Sequence, residues 1–346
     1  MAGLREVFPG KDVVFVAEVG INHNGDAETA LLMVDAAARA GAHAVKFQTF
    51  VPSLFYSVYT SSLLAAGTEG APDKSQIDFF RKLVLAPADY RRIQERARER
   101  KLVFFSSPFD IPSVDMLESL GVPLYKIASS EVTNHILLQR VAQAGKPVIM
   151  STGICTEEEI EAALNVLHTH GAPEVTLLHC VSLYPLPPEK ANLARIRAMR
   201  ERFGVAVGFS DHTADGRTSE FAAAYGARVF EKHFMHLPGF DCPDRAVSLD
   251  PGQFADMVRG VQSVLAMEGD GHLSFDFSEK EIAKSARRSL FSATHIPRGS
   301  LITREHLVAK RPGTGMPVYR LNDVIGKKAA CDIGEDHMIR PEHLVN

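Results

Sequence analysis

Short apolar runs alternate with amphipathic stretches along the first three quarters of the chain. Val13 to Ala17 is the kind of run that a strand covered on both faces requires. Ala27 to Ala40 follows with Leu31, Val34 and Ala38 at helical spacing, stopped by Gly41. The unit then recurs. Strands are predicted at Ala44 to Phe50, Leu102 to Phe105, Leu124 to Ala128, Pro147 to Met150, Val175 to Leu178, Val205 to Phe209 and Val229 to Phe234. Helices are predicted at about 88–100, 112–120, 136–144, 192–203, 218–225 and 253–267, and Thr156 with Glu159 three residues on predicts a capping box opening another. Eight strands alternating with helices place residues 1–267 in the α/β class as a closed (β/α)8 barrel of the TIM type rather than an open sheet. The pattern breaks twice. Residues 51–75, rich in Ser, Gly and Pro, read as a lid or substrate-facing loop. Residues 268–286 read as a polar linker to a small β-rich domain at 287–346, whose apolar runs are cut by Gly, Pro and Asp.

A barrel of this type carries its chemistry at the C-terminal strand ends, and here those ends are polar. They hold Glu18, Lys46, Gln48, Ser106, Ser107, Lys126, Ser129, Ser151, Thr152, His179, Ser182, Ser210, His212, Glu231 and His233. Residues two apart on a strand share a face, so Glu231 and His233 project together and Lys232 points away. One histidine at a strand end is usually a hydrogen-bonded core residue. Two on neighbouring strands, with Asp211 and Glu231 beside them, favour a shared metal, and imidazole plus oxygen donors suit Mn²⁺, Fe²⁺, Zn²⁺ or Co²⁺. A lysine inside an apolar strand is costly to bury unpaired. The plain reading of Lys46 and Lys126 is a salt bridge to Glu18 or Glu131; two such lysines near hydroxyl-rich turns favour a bound phosphate or carboxylate. His23, His43, His168, His170 and Lys232 are assigned to structure.

Composition narrows the partners. A formal charge of −4 and no basic tail argue against nucleic acid. No apolar stretch is long enough to cross a membrane, and the N-terminus lacks a signal-like apolar segment. Four cysteines without C-x-x-C spacing read as reduced thiols of a cytoplasmic protein.

The segments Ala17 to Gly25, Lys46-Phe47-Gln48-Thr49, Tyr125 to Ser129, Ser151-Thr152-Gly153, Leu178-His179-Cys180, Gly208 to Thr213 and Glu231 to Phe234 together resemble the sialic acid synthase family. That family includes the N-acetylneuraminate, legionaminate and pseudaminate synthases and the spore coat polysaccharide synthases. The C-terminal segment, including Lys310-Arg311-Pro312-Gly313, is similar to the antifreeze-like SAF domain of these synthases. The resemblance implies a transferase that condenses phosphoenolpyruvate with an N-acylated hexosamine, either N-acetylmannosamine or a 2,4-diacetamido-6-deoxyhexose. The product is a nine-carbon 2-keto acid plus phosphate. It implies a divalent cofactor on His212 and His233, Mn²⁺ first with Mg²⁺ or Co²⁺ as alternatives. Glu18 would be the acid/base group, with Glu231 second. Lys46, Ser107, Lys126, Ser129, Ser182 and Ser210 would hold phosphoenolpyruvate. Gln48, Tyr184, Asp244 and Arg311 would meet the sugar, Arg311 from the partner of a domain-swapped homodimer. Ser182 and Ser130 depart from the Asn and Gly frequent in N-acetylneuraminate synthases, so the acceptor stays open. A related barrel synthase or aldolase on another aldose, and a non-catalytic sugar-binding protein of polysaccharide assembly, are the alternatives.

Overall fold

The computed structural model describes residues 3–57 and 75–346, so much of the expected lid, residues 58–74, lies outside the described residues. The chain divides into two compact units, Met1–Gly269 and Asp270–Asn346.

In the first unit, eight parallel strands run as β1 Val14–Gly20, β2 Ala44–Thr49, β3 Val103–Pro108, β4 Tyr125–Ile127, β5 Val148–Ser151, β6 Val175–Cys180, β7 Val207–Asp211 and β8 Val229–His233. Their hydrogen-bonded order is β3-β2-β1-β8-β7-β6-β5-β4. β3 and β4, the two ends of that order, pack against each other and close the barrel. Nearly every strand residue is buried, as parallel strands covered on both faces must be.

Strand parity divides the core in two. Phe15, Ala17, Val45, Phe47, Phe104, Tyr125, Met150, Leu177, Phe209 and Phe230 point outward and pack under the helices. Val14, Val16, Ala44, Phe105, Leu124, Ile149, Leu178 and Val229 point inward, and Leu4 and Phe8 from the N-terminal turn plug that inner cluster. Continuing the inward parity towards the C-terminal ends leads to Glu18, Lys46, Ser107, Lys126, Ser151, Cys180, Ser210 and Glu231. The barrel is therefore oily at its base and charged above it.

The surrounding helices start where their caps dictate. Asp26 accepts the Thr29 N–H at the start of Ala27–Arg39, and Thr156 with Glu159 forms the expected capping box of Glu157–Thr169. Asp250 and Gln253 form another on Pro251–Glu268. Among the described residues no helix is long and apolar enough to cross a membrane. All four cysteines are free thiols.

The stretch expected as a linker is partly ordered: Phe277–Ala286 is a helix capped by Asp276, and residues from Asp270 onward group with the second unit. Its charged composition hid a capped amphipathic segment. That unit pairs β9 Ser289–Ser292 with β10 Leu307–Lys310, and β11 Lys328–Ala329 with β12 Leu344–Val345, around Leu290, Ile296, Ile302, Val324 and Ile333.

Candidate active site

The inward polar residues enclose a cavity of about 260 Å³ at the C-terminal ends of the strands. A larger hollow of about 680 Å³ lies at the opposite end, beside the starts of β3 and β4. Its charged groups, Glu6, Arg91, Glu95 and Arg98, are exposed side chains. Only the smaller cavity gathers buried charge, which is the physical mark of a site.

At its floor, Lys46 Nζ stands 2.8 Å from Glu18 Oε2 and 3.7 Å from Glu231 Oε2, while Lys126 Nζ stands 3.6 Å from Glu231 Oε1. Lys126 donates to Ser151 Oγ at 2.6 Å and Lys46 to Ser107 Oγ at 3.3 Å. Ser210 donates to Glu231 at 3.1 Å, and Gln48 Nε2 donates to Glu18 Oε1 at 3.1 Å. Burial alone would raise the Glu231 carboxyl, but Lys126 and Lys46 bring it down to about 2. Burial likewise opposes the charge on Lys46, and Glu18 and Glu231 overcome it, so its pKa is raised. Lys126 is pushed down, because burial and the neighbouring Lys46 outweigh Glu231. The two lysines are thus unlike: one is firmly charged, the other poised to gain from an incoming anion.

Higher in the cavity, the His212 and His233 rings lie 5.5 Å apart. His212 Nδ1 is 3.0 Å from the Val181 carbonyl oxygen and must donate to it, which leaves Nε2 as the acceptor of the Tyr184 hydroxyl at 2.9 Å. His233 Nδ1 faces Asp244 Oδ2 at 3.2 Å. Burial lowers the His233 pKa, and Asp244 and Glu18 reverse this, so it is raised overall. Asn22 fixes the Asp244 turn by accepting the Asp244 N–H at 3.0 Å while donating to Ser248 Oγ and the Phe234 carbonyl.

Among the described residues no three His, Cys, Asp or Glu side chains stand together as a metal cluster. The donor chemistry nonetheless fits a two-imidazole site completed by substrate or water oxygens. Each Nδ1 faces an oxygen, the arrangement that turns Nε2 towards a metal; ligation by His212 would require the Tyr184 hydroxyl to give way.

Of the residues expected from sequence, Glu18, Lys46, Gln48, Ser107, Lys126, Ser129, Ser182, Tyr184, Ser210, His212, Glu231 and His233 all line this cavity. Asp244 reaches it through His233. Arg311 is exposed in the second unit, just after β10. The Lys46–Glu18 bridge exists as the plain reading had it. Lys126 does not pair with Glu131, which sits in the turn Ser129–Glu131 and accepts from Ser130 and Asn134 instead. Lys232 points away from the cavity to Asp211, 3.5 Å distant.

Ser151 lines the cavity as well, but the strand-end residues Ser106, Thr152 and His179 do not: Ser106 pairs with the Thr49 hydroxyl, Thr152 donates to the Leu178 carbonyl and His179 to the Ala191 carbonyl. Cys180, Phe109, Ala128, Ser130 and Ile154 also line the cavity without having been singled out as binding residues. Inward parity marks the first two; nothing in the pattern marks the others. Gly153 is needed for space. A Cβ there would stand 2.3 Å from Ser182 Oγ and 3.0 Å from Ser129 Oγ. Gly153→Ala should therefore lower stability by about 1–3 kcal/mol through overpacking, read as a lower urea midpoint with unchanged slope.

Fold and donor set together define an α/β-barrel protein whose strand-end cavity gathers two buried lysines and two buried carboxylates beside paired imidazoles. The chain belongs to the NeuB family, whose sequence model matches residues 33–273, and a SAF domain matches residues 287–345. It is 35% identical to the N,N'-diacetyllegionaminic acid synthase of Campylobacter jejuni over 95% of this chain and 99% of that one. It is also 35% identical to the pseudaminic acid synthase of the same organism, over 93% and 94%. The crystal structure of the N-acetylneuraminic acid synthetase of Leptospira borgpetersenii superposes with a TM-score of 0.71 at 31% identity, covering 79% of this chain and 90% of that one.

Proposed function

We propose that this protein condenses phosphoenolpyruvate with the open-chain aldehyde of an N-acylated hexosamine, forming a nine-carbon sialic-acid-like 2-keto acid and inorganic phosphate for a surface polysaccharide. The observation that carries this reading is the convergence of two buried lysines, two buried carboxylates and two imidazoles in one barrel-end cavity. Family membership supports it. Likeness to legionaminic and pseudaminic acid synthases on one side and to an N-acetylneuraminic acid synthetase on the other leaves the acceptor between a 2,4-diacetamido-6-deoxyhexose and N-acetylmannosamine.

Lys46 and Lys126, with Ser107, Ser129, Ser182 and Ser210, hold the phosphate and carboxylate of phosphoenolpyruvate, for which ammonium and hydroxyl donors are suited. Its C3 forms the new bond to the aldehyde carbon, water adds at C2, and the C2–O bond breaks to release phosphate. Glu18 manages the proton at this centre, with Glu231 as the second carboxylate. A divalent ion, Mn²⁺ first, held by His212 and His233 would polarise the aldehyde oxygen. Gln48, Tyr184 and Asp244 meet the sugar, and Arg311 does so from the partner of a domain-swapped homodimer in the cytoplasm.

The test is phosphate release from phosphoenolpyruvate with N-acetylmannosamine, a 2,4-diacetamido-6-deoxyhexose or no sugar. Release should require a sugar, vanish with a chelator, return with Mn²⁺ and be absent in His233→Ala. Release without any sugar, or none with either sugar, would sink the reading.

A further inference from the structure

We infer that Phe109 is the residue that reads the acyl methyl of the acceptor, an inference that rests on the proposed condensation. Phe105, Ser107 and Phe109 share the inward face at the end of β3, and Phe109 is the one nearest the mouth. Ser107 sits beside buried Lys46 at the floor, where the proposed condensation puts phosphoenolpyruvate. Phe109 stands one pleat higher, next to the Gln48 strand, with its N–H donating to the Thr49 carbonyl at 3.1 Å. The second and larger substrate must stack above the first, so Phe109 faces the acceptor.

An open-chain N-acyl hexosamine is hydroxylated along most of its length, and its apolar groups are methyls: one acyl methyl in N-acetylmannosamine, two acyl methyls and the C6 methyl in a 2,4-diacetamido-6-deoxyhexose. The cavity answers with few apolar surfaces. Tyr184 is stacked on His212 at 4.0 Å with its hydroxyl engaged, and Ile154 is 76% exposed at the rim. Phe109 is half-buried and lines the cavity. Its ring packs against Phe55 at 4.7 Å and Phe50 at 6.3 Å. Its chain neighbour is fixed too: Asp110 accepts the N–H of Val51 at 2.6 Å and of Ser113 at 2.8 Å. A ring locked by packing and flanking hydrogen bonds is a preorganised apolar contact, and one methyl group in such a contact is worth about tenfold in kcat/KM.

The experiment compares N-acetyl and N-formyl forms of the sugar that the native protein uses, mannosamine or the 2,4-diamino-6-deoxyhexose, in native, Phe109→Leu and Phe109→Ala proteins. Native protein should prefer N-acetyl by about tenfold. Phe109→Ala should bring that ratio to within twofold of unity with the KM for phosphoenolpyruvate unchanged, and Phe109→Leu, which keeps the packing, should fall between. A native preference that survives in both variants, or equal losses for both sugars and for phosphoenolpyruvate, overturns the inference and leaves the condensation standing. Native protein that uses no N-acyl sugar overturns both.

Discussion

Glu18→Gln should bind phosphoenolpyruvate about as tightly as the native protein and turn over roughly 10²–10⁴-fold more slowly. The substitution is isosteric and keeps an oxygen facing Lys46 and a partner for Gln48, so the floor of the cavity keeps its shape. What it loses is the ability to exchange a proton. Glu18 is only 1% exposed, is paired with Lys46 at 2.8 Å and shares Gln48 on its other oxygen. Those contacts allow a competing role, in which Glu18 merely holds Lys46 in place. The two roles separate in kinetics. A holding role would raise the KM for phosphoenolpyruvate and spare kcat, whereas a proton-transfer role lowers kcat and leaves that KM near its native value. Native thermal stability in the variant is part of the expected result, because a loss of fold would mimic a loss of chemistry.

Much of this site was legible because a strand makes parity readable. Polar residues placed two apart inside apolar runs, such as Lys46 with Gln48 and Glu231 with His233, had to face the barrel interior once eight strands were counted. What sequence could not supply was pairing across strands. Lys126 could be recognised as buried, yet its counter-charge, Glu231, lies more than a hundred residues away and faces it only after the barrel closes. A local acid, Glu131, was the natural guess, but it is buried in the short turn Ser129–Glu131, where it accepts from Ser130 and Asn134. Parity turned Phe109 inward without marking it as a binding residue, and Ile154 gave no signal at all, since an apolar residue at a strand end looks the same whether it packs against core or opens on a cavity. The helix Phe277–Ala286 was hidden for the opposite reason: its polar composition concealed an N-cap, Asp276, that organises the segment.

The same parity that turns Glu231 and His233 inward turns Lys232 outward, and the largest stability effect is expected there. Lys232 and Asp211 are both 0% exposed and face each other at 3.5 Å between β7 and β8, where they are direct register partners. Lys232 also donates to the Thr213 carbonyl, and Asp211 accepts from the Thr213 N–H and hydroxyl and from Ser219 at 2.7–2.8 Å. Burial lowers the Lys232 pKa and Asp211 only partly restores it, so the pair survives by mutual compensation. Lys232→Met would strand a carboxylate in a dry interior at a cost of about 3–5 kcal/mol, read as a fall in the urea midpoint. Lys232→Met combined with Asp211→Asn removes both charges and should recover most of that loss, a non-additivity that only a direct interaction produces. If the double variant were as unstable as the sum of the two single ones, the pair would not be the source of the effect. The recovered double variant then isolates what the pair does for the site. Each partner is flanked by cavity residues, Ser210 and His212 on one strand and Glu231 and His233 on the other. A stable protein in which the proposed Mn²⁺ binding is weaker than in the native protein would mean that the buried pair, besides holding β7 to β8, aims the imidazoles.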